Sequence, residues 1–255
     1  MRWTKPHLVP DSRRVTAFLA GAIVLFASVH SQTPSAPTPA PASAPAVIAP
    51  PPAPRYVVVL DAAHGGDDTG GRLASGAFEK AATLDLSVRL RSLLNARGIT
   101  VVTTREADAA VEPDRRAGIA NHAKAAACLS LHITETGAGI HLFTSSLTPA
   151  EPAHFVAWKT AQAGWVTRSL ALEGSVNSAL QHGSMNVTLS RTALIAVDSM
   201  TCPAIAIEVA PERGLDGTVT AEPDDPAYLA RVATTLANAM VEWRTDAGRT
   251  EGRQP

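Results

Sequence analysis

Four side chains stand at the edges of buried apolar runs or at the head of a helix, and their types suit hydrolytic chemistry. The run Tyr56–Asp61 leads into Asp61-Ala62-Ala63-His64-Gly65-Gly66, a later run ends in Ser130-Leu131-His132, and Glu208 sits between Ile207 and Val209. Glu79 begins the first long helix, directly after a glycine-rich loop from His64 through Gly76, so the loop can return it to His64. Two imidazoles and one carboxylate commonly hold zinc in hydrolytic sites and leave a fourth position for water. His64, Glu79 and His132 supply that set. The metal lowers the pKa of its water and polarises a carbonyl, and a further carboxylate is needed to take the proton. Glu208 suits that role. Taken singly, three of these residues have plainer uses: His64 in a turn, His132 as a hydrogen-bonded core group, Glu79 as a favourable charge in a helix's first turn. Glu208 is harder to dismiss, since a carboxylate within Ala204–Val209 (AIAIEV) is costly to bury without a partner. No short signature of the HExxH kind is present, so the fold must bring the four together.

The elements that would do so alternate between short β-branched runs and longer helical stretches from Tyr56 onward. That pattern predicts a single α/β domain with a mostly parallel twisted sheet flanked by helices on both faces, whose ligands bind at the carboxyl ends of the strands. Strands are expected at Tyr56–Asp61, Ile99–Thr103, Ala127–His132, Gly139–Phe143 and Ala204–Val209. A helix through Leu86, Leu90 and Leu94 should close at Gly98, a short one should span Asp114–Ala123, and a third carries Trp165, Leu172, Val176 and Leu180. Leu229, Val232, Leu236 and Met240 share one face of a closing helix over Asp225–Trp243. The domain is thus expected over 56–243, with 244–255 a disordered tail. Cys128 and Cys202, the only cysteines, each begin an apolar strand-like run and read as buried thiols, a disulfide between them being the alternative.

The first 55 residues differ from the rest. Arg13 and Arg14 precede Val15–Val29, where only Thr16 and Ser28 are polar, which predicts an export signal over 1–31 with cleavage after Ser31 or retention as a membrane anchor. From Thr33 to Pro54, nine of 22 residues are proline, so 32–55 reads as a disordered Pro/Ala-rich linker. From Arg55 onward 18 basic residues face 22 acidic ones, a balance that argues against a nucleic-acid partner.

The segments Asp61-Ala62-Ala63-His64-Gly65-Gly66, Phe78-Glu79-Lys80, Thr103-Thr104-Arg105, Arg116-Ala117-Gly118-Ile119-Ala120-Asn121, Ser130-Leu131-His132 and Ile207-Glu208-Val209 occur in an order that resembles the zinc-dependent N-acetylmuramoyl-L-alanine amidases of bacterial cell walls. The resemblance covers nearly all of Tyr56 to Trp243. It implies Zn2+ bound by His64, Glu79 and His132, a catalytic carboxylate at Glu208, and hydrolysis of the amide between N-acetylmuramic acid and L-alanine in peptidoglycan. A zinc peptidase cutting within the stem peptide and a non-catalytic peptidoglycan-binding module are the alternatives. The expected protein is a periplasmic monomer, exported, with its N-terminal segment as signal peptide or inner-membrane anchor. Two departures from the family pattern stand out: Ala62 and Ala63 replace its usual proline and glycine, and Ala210-Pro211-Glu212-Arg213-Gly214 follows Glu208-Val209 in place of its usual Gly-Phe-Leu. About sixty residues between Thr144 and Pro203 leave little room for the long inhibitory helix of some members, which argues against strict autoinhibition. His122, His141, His154 and His182 follow no ligand spacing and read as surface or core residues. Arg105 is expected to pair with an internal carboxylate, Asn121 to cap or bridge a loop, and Trp158 and Trp165 to pack in the core rather than line a glycan groove.

Overall fold

Six strands build the central sheet: β1 (Val57–Ala62), β2 (Thr100–Thr103), β3 (Ala127–Ile133), β4 (Ile140–Ser145), β5 (Val187–Thr192) and β6 (Ala204–Val209). They are seen in a computed structural model that describes residues 56–150 and 156–251, with side chains described as far as Asp246. The expected signal, linker and His154 lie outside the described residues. The strands lie in the order β2-β1-β3-β6-β4-β5. Every neighbouring pair is parallel except β6 and β4, so the mostly parallel sheet is found with one reversal of direction.

Alternation along the central strands decides which helix covers which face. Val58 and Leu60 of β1, Leu129 and Leu131 of β3, and Ile205 and Ile207 of β6 enter one core, shared with α1 (Glu79–Ala96), α3 (Val166–His182) and α4 (Pro226–Glu251). Val59, Cys128 and Ala204 face the opposite side and pack with Ala117 and Ala120 of α2 (Pro113–Ala123). Asp61, Ser130, His132 and Glu208 have the parity of this second face, so the sheet delivers its polar side chains at the α2 side of its carboxyl edge.

Local chemistry sets the helix ends. The N–H groups of Gly98 and Ile99 bond to the carbonyls of Asn95 and Leu94, the Schellman closure that stops α1 where Gly98 predicts. Asp225 Oδ1 accepts from the N–H groups of Ala227 and Tyr228, and Pro226 opens α4, a capped start with proline first. α4 continues past Trp243 to Glu251, beyond the expected boundary. Arg244 Nη1 donates to the carbonyls of Arg97 and Gly98, which ties the extra turn to the end of α1.

Other expectations are corrected. Cys128 and Cys202 are joined by a disulfide rather than left as thiols. The parallel register pairs Cys128 with Ala204, and this places Cys202 beside it across a separation of 74 residues. Between β4 and β6, α3 is joined by two 3-10 turns, Trp158–Gly164 and Val197–Ser199, and by β5, none of which was expected. β5 is an edge strand with five consecutive exposed residues, so it lacks an apolar alternation and is held by its ladder with β4. Trp158, at 46% exposure, lies in a 3-10 turn and is not a core residue. The residues after β6 form a small hairpin of β7 (Glu212–Arg213) and β8 (Val219–Ala221).

Candidate metal centre and cleft

The carboxylate of Glu79, first residue of α1, lies between two imidazoles. Its Oε2 is 3.1 Å from His64 Nε2 and its Oε1 3.2 Å from His132 Nδ1. The backbone N–H of Gly71 donates to Oε2 and that of Ile133 to Oε1, so both oxygens are fixed from loop and strand alike. Ligand atoms of His64, Glu79 and His132 all lie within 4.8 Å of one another. The two rings meet edge to face, 88° apart with centroids separated by 5.7 Å, so they converge on the carboxylate without stacking. This is a donor set that one metal ion fits.

Each group is oriented from behind. His64 Nδ1 lies 2.9 Å from both carboxylate oxygens of Asp68; a carboxylate only accepts, so Nδ1 donates to Asp68, the backing that would free Nε2 to bind a metal. Gly70, with φ +64, passes so close that a Cβ there would sit 2.7 Å from both Glu79 Oε2 and His64 Cδ2; only glycine lets the loop run over the site. Burial pushes the Glu79 carboxyl upward, but hydrogen bonds from His132, His64 and Gly71 outweigh it and hold the group well below the usual carboxylate range. The hydrogen bond to Glu79 raises His64, against the opposing effect of burial.

Two guanidinium groups hold the turn that carries His64. Arg116 Nη1 donates to Asp61 Oδ1 and to the Ala62 carbonyl, each at 2.7 Å, and its Nη2 donates to the His64 carbonyl. Arg105 donates to the carbonyls of Ala62, Ala63 and Lys80 and to Thr83 Oγ1. An internal carboxylate is therefore taken by Arg116, while Arg105 serves backbone carbonyls at the end of β1 and in the first turn of α1. Burial, and then repulsion from Arg116, lower the Arg105 pKa. Asp61 is only 2% exposed and accepts two further bonds, from Thr104 Oγ1 and Ser130 Oγ. Asn121 bridges a loop as expected: it donates to the Ser199 carbonyl and accepts from the Thr201 N–H.

Glu208 stands apart from this donor set yet shares its cleft. The parallel register sets His132 beside Glu208 on one face, and both line a hollow of about 420 Å3 with His64, Glu79, Thr134 and Glu135. A second hollow, of about 610 Å3, opens on the other side of His64 and His132, toward Val111, Glu112 and Leu194–Val197. The two imidazoles thus lie between two recesses. One neighbour of Glu208 was not anticipated: His141 Nδ1 lies 2.8 Å from Glu208 Oε1. No local spacing could have found it, because the contact depends on β4 running antiparallel to β6, in which register His141 faces Glu208.

Two imidazoles and a carboxylate that could hold a metal ion gather at the carboxyl edge of an α/β sheet, with a second carboxylate in the same cleft, the arrangement of a hydrolase site. The chain belongs to the N-acetylmuramoyl-L-alanine amidase family (Amidase_3), whose model matches residues 58–240. A germination-specific N-acetylmuramoyl-L-alanine amidase of Bacillus subtilis is 31% identical over 91 residues, 30% of this chain and 38% of that relative. The endolysin of Bacillus phage SPP1 is 40% identical over 84 residues, 32% of this chain and 31% of the phage protein. This chain therefore spans only 38% and 31% of the lengths of these two curated relatives. Among solved structures, an N-acetylmuramoyl-L-alanine amidase from Clostridium difficile 630 shares the fold at a TM-score of 0.58 and 20% identity, covering 75% of this chain and 97% of that one.

The Arg116–Asp61 pair yields a stability prediction. Arg116→Met strands a buried carboxylate, and removing one partner of such a pair typically costs about 3–5 kcal/mol. Urea unfolding of the variant should show a loss of that order, with the His64 turn loosened; a loss under about 1 kcal/mol, the level of an ordinary surface substitution, would contradict the clamp.

Proposed function

We propose that this chain is a zinc-dependent hydrolase of the amide joining the lactyl group of N-acetylmuramic acid to L-alanine in peptidoglycan. The observation that carries the reading is the Glu79 carboxylate shared between His64 Nε2 and His132 Nδ1, with Glu208 in the same cleft. His64, Glu79 and His132 would hold the zinc, a set of two neutral imidazoles and one charged carboxylate that suits an open catalytic site. Zinc held there supplies Lewis acidity, which makes water more acidic and polarises an amide carbonyl. Glu208 takes the proton of the attacking water and passes it to the departing amide nitrogen. Asp68 keeps the His64 tautomer fixed during the reaction. Family membership supports the muramoyl-alanine bond as substrate, and the two recesses offer room for the sugar and the stem peptide on either side of the imidazoles.

We also infer export to the periplasm, with the N-terminal segment as signal or inner-membrane anchor. The pattern of Arg13, Arg14 and Val15–Val29 supports it, and so does the Cys128–Cys202 disulfide, a bond that persists in oxidising compartments. Cell fractionation tests this. The full chain should appear in the periplasm or at the inner membrane, and a chain lacking residues 1–31 in the cytosol; full-length protein in the cytosol would contradict export.

Mass spectrometry of purified sacculi digested with the zinc-loaded protein tests the reaction itself. Intact stem peptides released from muramic acid are expected; shortened stems would mean a peptidase, and no release a binding module. Glu208→Gln should lose at least about 100-fold in rate while keeping its zinc, whereas Glu79→Gln should weaken the zinc itself. A Glu208→Gln variant that turns over normally would remove Glu208 from the mechanism.

A further inference from the structure

The imidazole of His141 is a group that the reaction as derived does not use. It stands on β4, the one strand that runs antiparallel to its neighbour β6, and the register places it directly across from Glu208. Its Nδ1 lies 2.8 Å from Glu208 Oε1, and a carboxylate oxygen can only accept, so the imidazole donates. The ring has little freedom to leave. Phe143, two residues along on the same face, meets it edge to face at 6.4 Å between centroids. On its other side Gly137, with φ +85, closes over the ring so tightly that a Cβ there would lie 2.4 Å from His141 Cε1 and 2.7 Å from Nε2. A glycine bent over an imidazole, and an imidazole aimed at a carboxylate, are what a fixed hydrogen-bond donor requires.

We propose that His141 is a positioning residue: its Nδ1–H holds one oxygen of Glu208 and so presents the other to the cleft in a single orientation. Rotation about the last bond of a glutamate is soft, and a base free to rotate spends part of its time out of line with the proton it must take. A third group that orients the base is the arrangement by which active sites remove that freedom. The inference rests on Glu208 being the base.

The test compares side-chain amides of different reach in the zinc-loaded protein. In His141→Asn the amide N–H stands as many bonds from the backbone as Nδ1 does; in His141→Gln it stands where Nε2 does, away from Glu208. Both variants are polar and of similar bulk to the native residue, and His141→Leu removes the donor altogether. Loss of a group that orients a site residue is typically worth about 10- to 100-fold. We expect His141→Leu and His141→Gln to lose that much in kcat, with KM and zinc content near wild type, and His141→Asn to recover most of it. In a Glu208→Gln background, His141→Leu should add less than about twofold, because two residues acting through one step are not additive. Equal rates for the Asn and Gln variants, or a full additive loss in the Glu208→Gln background, would overturn the positioning role and leave the hydrolase reading intact. Full activity of Glu208→Gln alone would overturn the hydrolase reading and the role of His141 with it.

Discussion

Asp61 carries its carboxylate into a place that is 2% exposed, and it is held there by Arg116, Thr104 and Ser130. A lone charge at that depth would be prohibitive, and a buried pair is tolerated only where the remaining lone pairs are also met. Here they are, and the same guanidinium goes on to bind the carbonyls of Ala62 and His64. The backbone has left the ladder at this point, and His64 adopts a φ of 61°, a conformation that favours few residues other than glycine. Arg116 and Arg105 together replace the hydrogen bonds that the sheet no longer provides. The position of the first imidazole therefore depends on charges that stand outside the donor set.

Strand order accounts for the remaining geometry. With β6 between β3 and β4, His132, Glu208 and His141 form a lateral row across three neighbouring strands. Glu79 reaches the row from α1, whose first residue lies against the end of β3 through the Ile133 N–H. In the proposed mechanism one residue of the row would bind the metal, the next would serve as base, and the third would hold the base. Three roles are thus assigned by register alone, on a rigid sheet rather than a loop, which gives the precision that positioning demands.

Much of this was legible in the sequence because it is written in local pattern. The strand runs, the apolar face of α1 and the stop at Gly98 each have signals within a few residues, and the polar residues that end β1, β3 and β6 stand out against apolar neighbours. His64, Glu79 and His132 stood out because ligand chemistry restricts the residue types so tightly, and the structure brings the three together. What was missed depends on partners distant in sequence. The disulfide required knowing that β3 and β6 are adjacent, and the choice of Arg116 rather than Arg105 as partner of a buried carboxylate depends on α2 packing beside β1. His141 had no motif around it, since its meaning comes from the single antiparallel pairing in the sheet. β5 had no apolar alternation to betray it.

In the proposed enzyme one zinc ion sits among His64, Glu79 and His132 while Glu208 stays outside its ligand set. Crystals of the zinc-loaded protein, measured at the zinc absorption edge, test it most directly. One strong anomalous peak is expected at about 2.0–2.2 Å from a nitrogen of each imidazole and from a Glu79 oxygen, with Glu208 outside bonding distance and still paired with His141. A peak that includes Glu208 among its ligands, or that lies away from these three residues, would contradict it.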